Sequence, residues 1–221
     1  MKKPKIFIAC DTTRLSKVRR ILKFTKSTKM KIGYKFGLEF MNSKNGRTFL
    51  AKLRKKIIFV DLKLNDTVNT MLSAVKALKD IKINYLTVHI SSGLAALKAV
   101  KKISGPTRIV GVTTLTSLNN NDLKLIGYNK SVKNLVAHQA KLAKKANLDA
   151  LVCSPYEVSA VRKIFKKEII TPGVQIGKKN YDQKRSMEAK KVNSDWLVIG
   201  RAITARGNIK KNIQNLIEKL R

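Results

Sequence analysis

Acidic residues are scarce in this sequence. Only 13 Asp and Glu stand against 48 Lys and Arg in 221 residues, a formal net charge of +35. Long apolar runs are missing as well. The longest, such as IFIAC (6–10) and WLVIG (196–200), span five or six residues, far below the ~20 that cross a bilayer, so no membrane role is indicated. The amino-terminal MKKPKIFIACD imitates the basic start of a signal peptide. Its apolar stretch stops at Asp11 with no small-residue cleavage site behind it, short of the ~7–15 residues of a true h-region. A first strand is expected there instead, and a cytoplasmic location. Two cysteines, Cys10 and Cys153, each end an apolar run, and no CxxC occurs. That excludes a disulfide framework and points to neither zinc nor redox chemistry, leaving two small core residues in a reducing compartment. Aromatics make up only 6%, and no RRM-type signature, basic zipper or Cys/His finger is present, so no specific nucleic-acid partner is indicated.

Much of what is present is lysine. With 11 arginines among the 48 bases, 37 are Lys. They are scattered along the chain on the polar faces of helical segments, as in KVRRILKFTK (17–26) and KALKDIK (76–82). That distribution reads as a solvated coat rather than a recognition surface. The preference for Lys over Arg, with frequent Asn, is the bias an AT-rich coding sequence produces. A hydrophobic fraction of 43% is enough to bury a sizeable core, which excludes general disorder. The length suits one domain over residues 1–221.

Short β-branched runs alternate with amphipathic segments of 3–4 residue apolar period. Strands are expected at 5–10, 31–36, 56–64, 85–91, 107–115, 150–154, 168–174 and 196–200. Helices are expected at 16–27, 46–55, 67–80, 93–103, 131–147, 156–166, 183–192 and 208–220. Several strands are apolar throughout, as strands buried on both faces are. Alternation of this kind predicts an α/β protein with a parallel sheet. Eight units in this length, with no Pro/Gly/Ser-rich linker, favour a closed (β/α)8 TIM barrel over an open doubly wound sheet.

In such a barrel the active site lies at the carboxyl ends of the strands, and phosphate binds near the last two. Asp11 follows strand 1 and Lys35 ends strand 2, while Asp61 and Asp66 flank Lys63 in FVDLKLNDTVNT (59–70). Residues i and i+2 of a strand share a face, so Asp61 and Lys63 point together into the barrel mouth. An ordinary salt-bridge network closing the barrel would use the same residue types. Convergence where the fold places chemistry, and the rarity of buried acids and lysines, favour a site. Strand 8 ends in Gly200 and Arg201, and strand 7 leads through TPGV (171–174) to DQKR (182–185). Glycine lets a backbone approach closely, Arg offers a bidentate fork, and Gln183 adds amide donors, together a candidate phosphate clamp.

With these residues in place the chain resembles the orotidine 5′-phosphate decarboxylase family along nearly its whole length. The matching pieces include ACD ending at Asp11, KFGLEF (35–40), DLKLNDTVNT (61–70), TVHISSG (87–93), VTTLTS (112–117), VCSPYE (152–157), TPGV, DQKR and VIGRAIT (198–204). The resemblance implies a TIM barrel of the phosphate-binding type, and decarboxylation of orotidine 5′-phosphate to UMP in de novo pyrimidine synthesis, without metal or other cofactor. It makes Lys63 the proton donor to C6, sets Asp61 beside the substrate carboxylate, and completes the charge network with Lys35. Asp66 and Thr70 are expected to reach into a second subunit's site, giving a homodimer with shared active sites. Asp11 is expected on ribose hydroxyls, Thr116 and Ser154 on the pyrimidine, and Gln183, Gly200 and Arg201 on the phosphate. The residue types suit the reaction, since a fixed ammonium stabilises negative charge developing at C6 and then delivers the proton. Desolvation opposes a charged Lys63, and Asp61 and Asp66 are expected to support it.

Two positions depart from the family pattern. Thr67 stands where Ile is usual. Gln175 follows TPGV where the family often has Arg, so phosphate grip falls to Gln175, Gln183 or a lysine of GKKN (177–180), with Lys178 or Lys179 expected to replace the arginine in part. His89 and His138 have no metal-ligand spacing and are expected to be structural. Two other functions compete. One is a metal-dependent sugar-phosphate decarboxylase or aldolase on the same barrel, against which Lys35 argues because those enzymes resemble sites with Glu there. The other is a basic nucleic-acid binder on an inactive barrel.

Overall fold

The computed structural model describes residues 5–26, 28, 30–53, 55–175, 187–188, 192–204 and 208–220. Its strands are β1 (Lys5–Ala9), β2 (Ile32–Gly37), β3 (Ile57–Leu64), β4 (Tyr85–His89), β5 (Arg108–Val112), β6 (Ala150–Val152), β7 (Glu168–Thr171), β8 (Val174–Gln175), β9 (Met187–Glu188) and β10 (Trp196–Ile199). All but β8 and β9 pair in parallel and close into one barrel, in the order β1-β10-β7-β6-β5-β4-β3-β2. The helices are α1 (Leu15–Phe24), α2 (Leu38–Met41), α3 (Gly46–Lys52), α4 (Val68–Ala77), α5 (Gly93–Ile103), α6 (Asn120–Leu125), α7 (Val132–Lys145), α8 (Val158–Ile164), α9 (Arg201–Thr204) and α10 (Ile209–Leu220). The expected (β/α)8 barrel is therefore the fold, and the segment that imitates a signal peptide supplies its first strand. No helix among the described residues is long and apolar enough to cross a membrane.

The alternation of side chains along each strand sorts the core into two clusters. Ile6, Ile8, Ile58, Val60, Leu86 and Val88 face outward and pack with helix residues such as Val18, Ile21, Leu97, Val136 and Ile213. Phe7, Phe59, Tyr85, Val110, Ala150, Ile170 and Trp196 face inward and fill the barrel. Phe7 stacks on Trp196 with ring centroids 4.0 Å apart, and Phe59 and Tyr85 pack around it. Gly33 makes room for this plug. A Cβ there would lie 2.4 Å from the Phe7 ring, so a larger residue would force the ring to shift.

Below the plug, the first residues of five strands meet. Glu168 takes Lys5 Nζ at 2.9 Å and Trp196 Nε1 at 3.2 Å on one oxygen, and Tyr85 OH at 2.8 Å and Arg108 at 2.7 Å on the other. These donors hold its carboxyl down from 4.5 to about 2, against a burial effect that alone would raise it. A second device recurs where a strand begins. Asn84, Asp149 and Asp195 each precede a strand and accept, through a side-chain oxygen, the N–H of Ile58, Ile109 and Ile169 on the neighbouring strand. Two of the scarce acids, Asp149 and Asp195, thus serve strand register rather than catalysis.

The outline departs from expectation in places. The strand expected over 168–174 stops at Thr171, because Pro172 has no N–H to give the ladder and Gly173 turns the chain with φ +74°. Of the helix expected over 183–192, Met187–Glu188 are instead extended and pair with Val174–Gln175, while residues 183–186 and 189–191 lie outside the described residues. The short helix α6 was not anticipated. It is set by a capping box in which Asn119 accepts from the Asp122 N–H and Asp122 accepts from the Asn119 N–H.

Candidate active site

Above the aromatic plug the inward positions change from apolar to charged. On β1 the inward series runs Phe7, Ala9, Asp11; on β2 it runs Gly33, Lys35, Gly37; on β3 it runs Ile57, Phe59, Asp61. Asp11, Lys35, Asp61 and Lys63 form an unbroken alternating chain. Lys35 Nζ lies 3.1 Å from both Asp11 oxygens and 3.2 Å from Asp61 Oδ2, and Lys63 Nζ lies 3.0 Å from Asp61 Oδ1. Gly37 leaves room for this approach, since a Cβ there would stand 2.8 Å from Asp11 Oδ1 and 3.4 Å from Lys35 Nζ.

Exposure is graded along the chain. The Lys35 and Asp61 side chains are 11% and 12% exposed, whereas Lys63 is 35% and Asp11 45% exposed. Burial by itself works against charge on the inner pair. It pulls the Lys35 ammonium down, but the Asp61 and Asp11 carboxylates outweigh it and the net shift is upward. Burial pushes the Asp61 carboxyl up, and Lys35 and Lys63 bring it below the usual range. Both inner groups therefore stay charged, and the more exposed ammonium of Lys63 faces the space above them. His89 lies outside this chain. Burial first, then the Lys63 charge, lowers its pKa, which fits a neutral supporting ring.

The chain floors a cavity of about 350 Å3, a size in the range of small-ligand sites, which Asp11, Lys35, Asp61, Lys63, Thr116, Gly200 and Arg201 all line. Seven of the expected site residues are thus brought together. Leu115, Val152, Cys153, Pro172, Val174 and Val198 form its apolar side. Single-sequence reading missed this wall because apolar strand ends look like core. Thr114, whose N–H and hydroxyl are both held by Gln139 Oε1 on α7, anchors the segment that presents Leu115 and Thr116. The Cys10 thiol is buried beside the cluster and pushed up to about 12, first by burial and then by Asp11, so it is a core residue as expected.

Other expected residues fall elsewhere. Ser154 is fully buried and does not line the cavity. Its hydroxyl accepts from Tyr156 N and its N–H is held by Glu157 in a capping box that starts the next turn, so Cys153 takes the cavity position. Asp66 and Thr70 are exposed outside the cavity of this chain. Asp66 accepts from the Thr67 N–H at 2.7 Å and Thr70 pairs with Thr67. The expected support of Lys63 thus comes from Asp61, with Asp66 engaged at the helix start instead. Gln175 contributes its backbone to β8; its side chain, Gln183, Lys178 and Lys179 lie outside the described residues.

A closed barrel carrying an alternating ammonium–carboxylate chain at the carboxyl ends of β1, β2 and β3 puts this protein in the (β/α)8-barrel group, with its site where that fold places chemistry. Within that group the comparisons are specific. Residues 4–216 match the model of the orotidine 5′-phosphate decarboxylase / HUMPS family, and the chain belongs to that family. It is 37% identical to the orotidine 5′-phosphate decarboxylase of Wolbachia pipientis subsp. Culex pipiens, over 97% of this chain and 98% of that one. It is 38% identical to the same-named protein of a Wolbachia from Brugia malayi, over 97% of each. Among solved structures, the orotidine 5′-phosphate decarboxylase of Lactobacillus acidophilus superposes with a TM-score of 0.81 at 27% identity, covering 99% of both chains.

Proposed function

We propose that this chain decarboxylates orotidine 5′-phosphate to UMP and CO2 in pyrimidine biosynthesis, as a cytoplasmic homodimer of one barrel domain over residues 1–221. The observation that carries this reading is the Asp11–Lys35–Asp61–Lys63 chain, whose outermost ammonium faces the cavity. With the pyrimidine carboxylate above Asp61 and C6 above Lys63, the bond between C6 and the carboxylate carbon breaks and CO2 leaves. The electron pair stays in the ring plane at C6, where no π system takes it up. The ammonium of Lys63 stabilises that charge without reorganising, because Asp61 already holds it. Its proton then moves to C6, giving UMP, and solvent reprotonates the amine. No cofactor enters this sequence of steps.

Recognition divides around the same floor. Asp11, nearly half exposed, suits the ribose hydroxyls, and Thr116 suits the base. Gly200 and Arg201 suit the phosphate, and Gln175, Gln183 and the lysines at 178 and 179 are assigned to the same anion. Ser154, buried off the cavity wall, acts on the pyrimidine edge only by shaping the turn that presents Cys153. Asp66 and Thr70 sit in the exposed turn at the start of α4 beside Val68, which is 36% exposed for an apolar residue. That exposed apolar residue favours a second subunit covering the turn and receiving Asp66 and Thr70 at its own site. The metal-dependent alternative is disfavoured by Lys35, whose ammonium 3.2 Å from Asp61 occupies and repels the position a cation would take.

The test is the absorbance decay of orotidine 5′-phosphate, run with and without EDTA. Wild-type turnover insensitive to EDTA is expected, and Lys63→Ala should lose at least about 10³-fold in kcat while still binding UMP. Absence of turnover, EDTA-sensitive consumption of a sugar phosphate, or an active Lys63→Ala each overturns the reading.

A further inference from the structure

The backbone around Lys63 is irregular in a way the reaction alone does not explain. Lys63 has φ +50°, a left-handed conformation that a long unbranched side chain rarely adopts and that persists only where surroundings impose it. The β3–β4 ladder also breaks at this point. Val60 is opposite Leu86 and Leu64 is opposite Val88, so four residues of advance on β3 meet two on β4. Asp61, Leu62 and Lys63 bulge out of the ladder, and a bulge of this kind re-aims a side chain at the cost of ladder hydrogen bonds.

One side chain fills the gap. Thr87 lies on β4 between the two paired positions and is fully buried. Its hydroxyl oxygen accepts the backbone N–H of Lys63 at 2.8 Å, and its hydroxyl proton goes to Asp61 Oδ1 at 3.0 Å. The same Oδ1 takes Lys63 Nζ at 3.0 Å. A single hydroxyl thus closes a ring through the backbone of the bulge, the Asp61 carboxylate and the Lys63 ammonium. It replaces the missing ladder bond and fixes which oxygen of Asp61 the ammonium uses.

We propose that Thr87 is the positioning residue of this site, holding Lys63 in its left-handed backbone conformation so that its ammonium points into the cavity at a fixed place. The inference rests on the decarboxylase reading for the identity of the chemical step, but not for the geometry. Thr87 touches no reacting atom, so its removal should act on the step that uses Lys63 rather than on binding. Thr87→Val keeps the shape and removes the hydroxyl, leaving the Lys63 N–H and one Asp61 lone pair unpaired. A lost buried hydrogen-bond partner of this kind corresponds to a fall of about 30-fold in kcat. KM and UMP affinity should stay within about threefold, since the phosphate and ribose contacts lie elsewhere.

Thr87→Ser, which restores the hydroxyl without the methyl group, should recover kcat to within about threefold of wild type. Crystal structures of the two variants supply a readout independent of turnover. Lys63 should leave the left-handed region or lose Asp61 Oδ1 in the valine variant and keep both in the serine variant. If Thr87→Val does not fold, Thr87→Ala carries the same expectations. Wild-type kcat with unmoved Lys63 in a hydroxyl-free variant overturns the proposal. So does a kcat loss that serine fails to repair, which marks Thr87 as packing alone. If the wild type leaves orotidine 5′-phosphate untouched, the substrate reading falls separately, and the Lys63 geometry in the variants still decides the role of Thr87.

Discussion

Replacing Glu168 by glutamine isolates the clamp at the amino-terminal end of the barrel from the chemistry at the other. Glutamine keeps the shape and one acceptor but loses the charge that Lys5 and Arg108 face. The magnitude follows from proton binding. Hydrogen bonds from Lys5 and Tyr85, together with the Lys5 charge, bring the Glu168 carboxyl from 4.5 to about 2 in spite of burial. At about 1.4 kcal/mol per tenfold change in proton affinity, the ceiling on this contribution is ~3 kcal/mol. The Lys5 side chain is 24% exposed and water screens part of its charge, which reduces the expected loss to about 2 kcal/mol. For a chain of this length that corresponds to a Tm lower by ~4–8 °C at pH 7. Because the folded carboxyl titrates lower than the unfolded one, its stabilisation is complete above pH 4.5 and fades as pH falls toward 2. The Tm gap between wild type and Glu168→Gln should therefore shrink to about half its neutral value near pH 3. Thermal melts followed by circular dichroism, in moderate salt to quiet the repulsion among the lysines, measure this directly. A gap that is absent at pH 7, or that keeps its full size at pH 3, would refute the argument.

Two further outcomes are expected, one at the aromatic plug and one at the residues after TPGV. Gly33→Ala places a methyl group 2.4 Å from the Phe7 ring, and the overpacked plug should cost about 1–3 kcal/mol in urea unfolding; a neutral result would show that the ring shifts freely. Replacing Lys178 and Lys179 together by alanine should raise KM for the 5′-phosphorylated substrate several-fold, with little change for a nucleoside lacking the phosphate. Unchanged substrate affinity would rule out these lysines as replacements for the arginine missing after TPGV.

The alternating apolar runs were sufficient to predict a closed barrel, because a strand buried on both faces leaves a nearly continuous apolar string and an amphipathic helix leaves a 3–4 residue period. The barrel in turn located the charged cluster, since position at a strand's carboxyl end is a local property of the chain. Parity along β3 placed Asp61 inward correctly. It did not show that the strand bulges between Val60 and Leu64, because a break in pairing depends on the neighbouring strand. The same applies to Thr87. Its inward direction follows from Tyr85 two residues earlier, but its bonds to Lys63 and Asp61 exist only once β3 and β4 lie side by side.

Composition fixed how few acids there are, and residue order fixed which of them stand at strand ends. Which ones carry charge into the cavity was decided by assembly. Asp11 and Asp61 meet Lys35 across three strands, Glu168 gathers donors from four strands besides its own, Asp149 and Asp195 hold strand register, and Asp66 turns to a helix start outside the cavity. The physical reason is range. Period and residue type act over a few neighbouring residues and are written in the sequence, whereas a charge's partner, burial and resulting protonation depend on groups that only the closed barrel brings together.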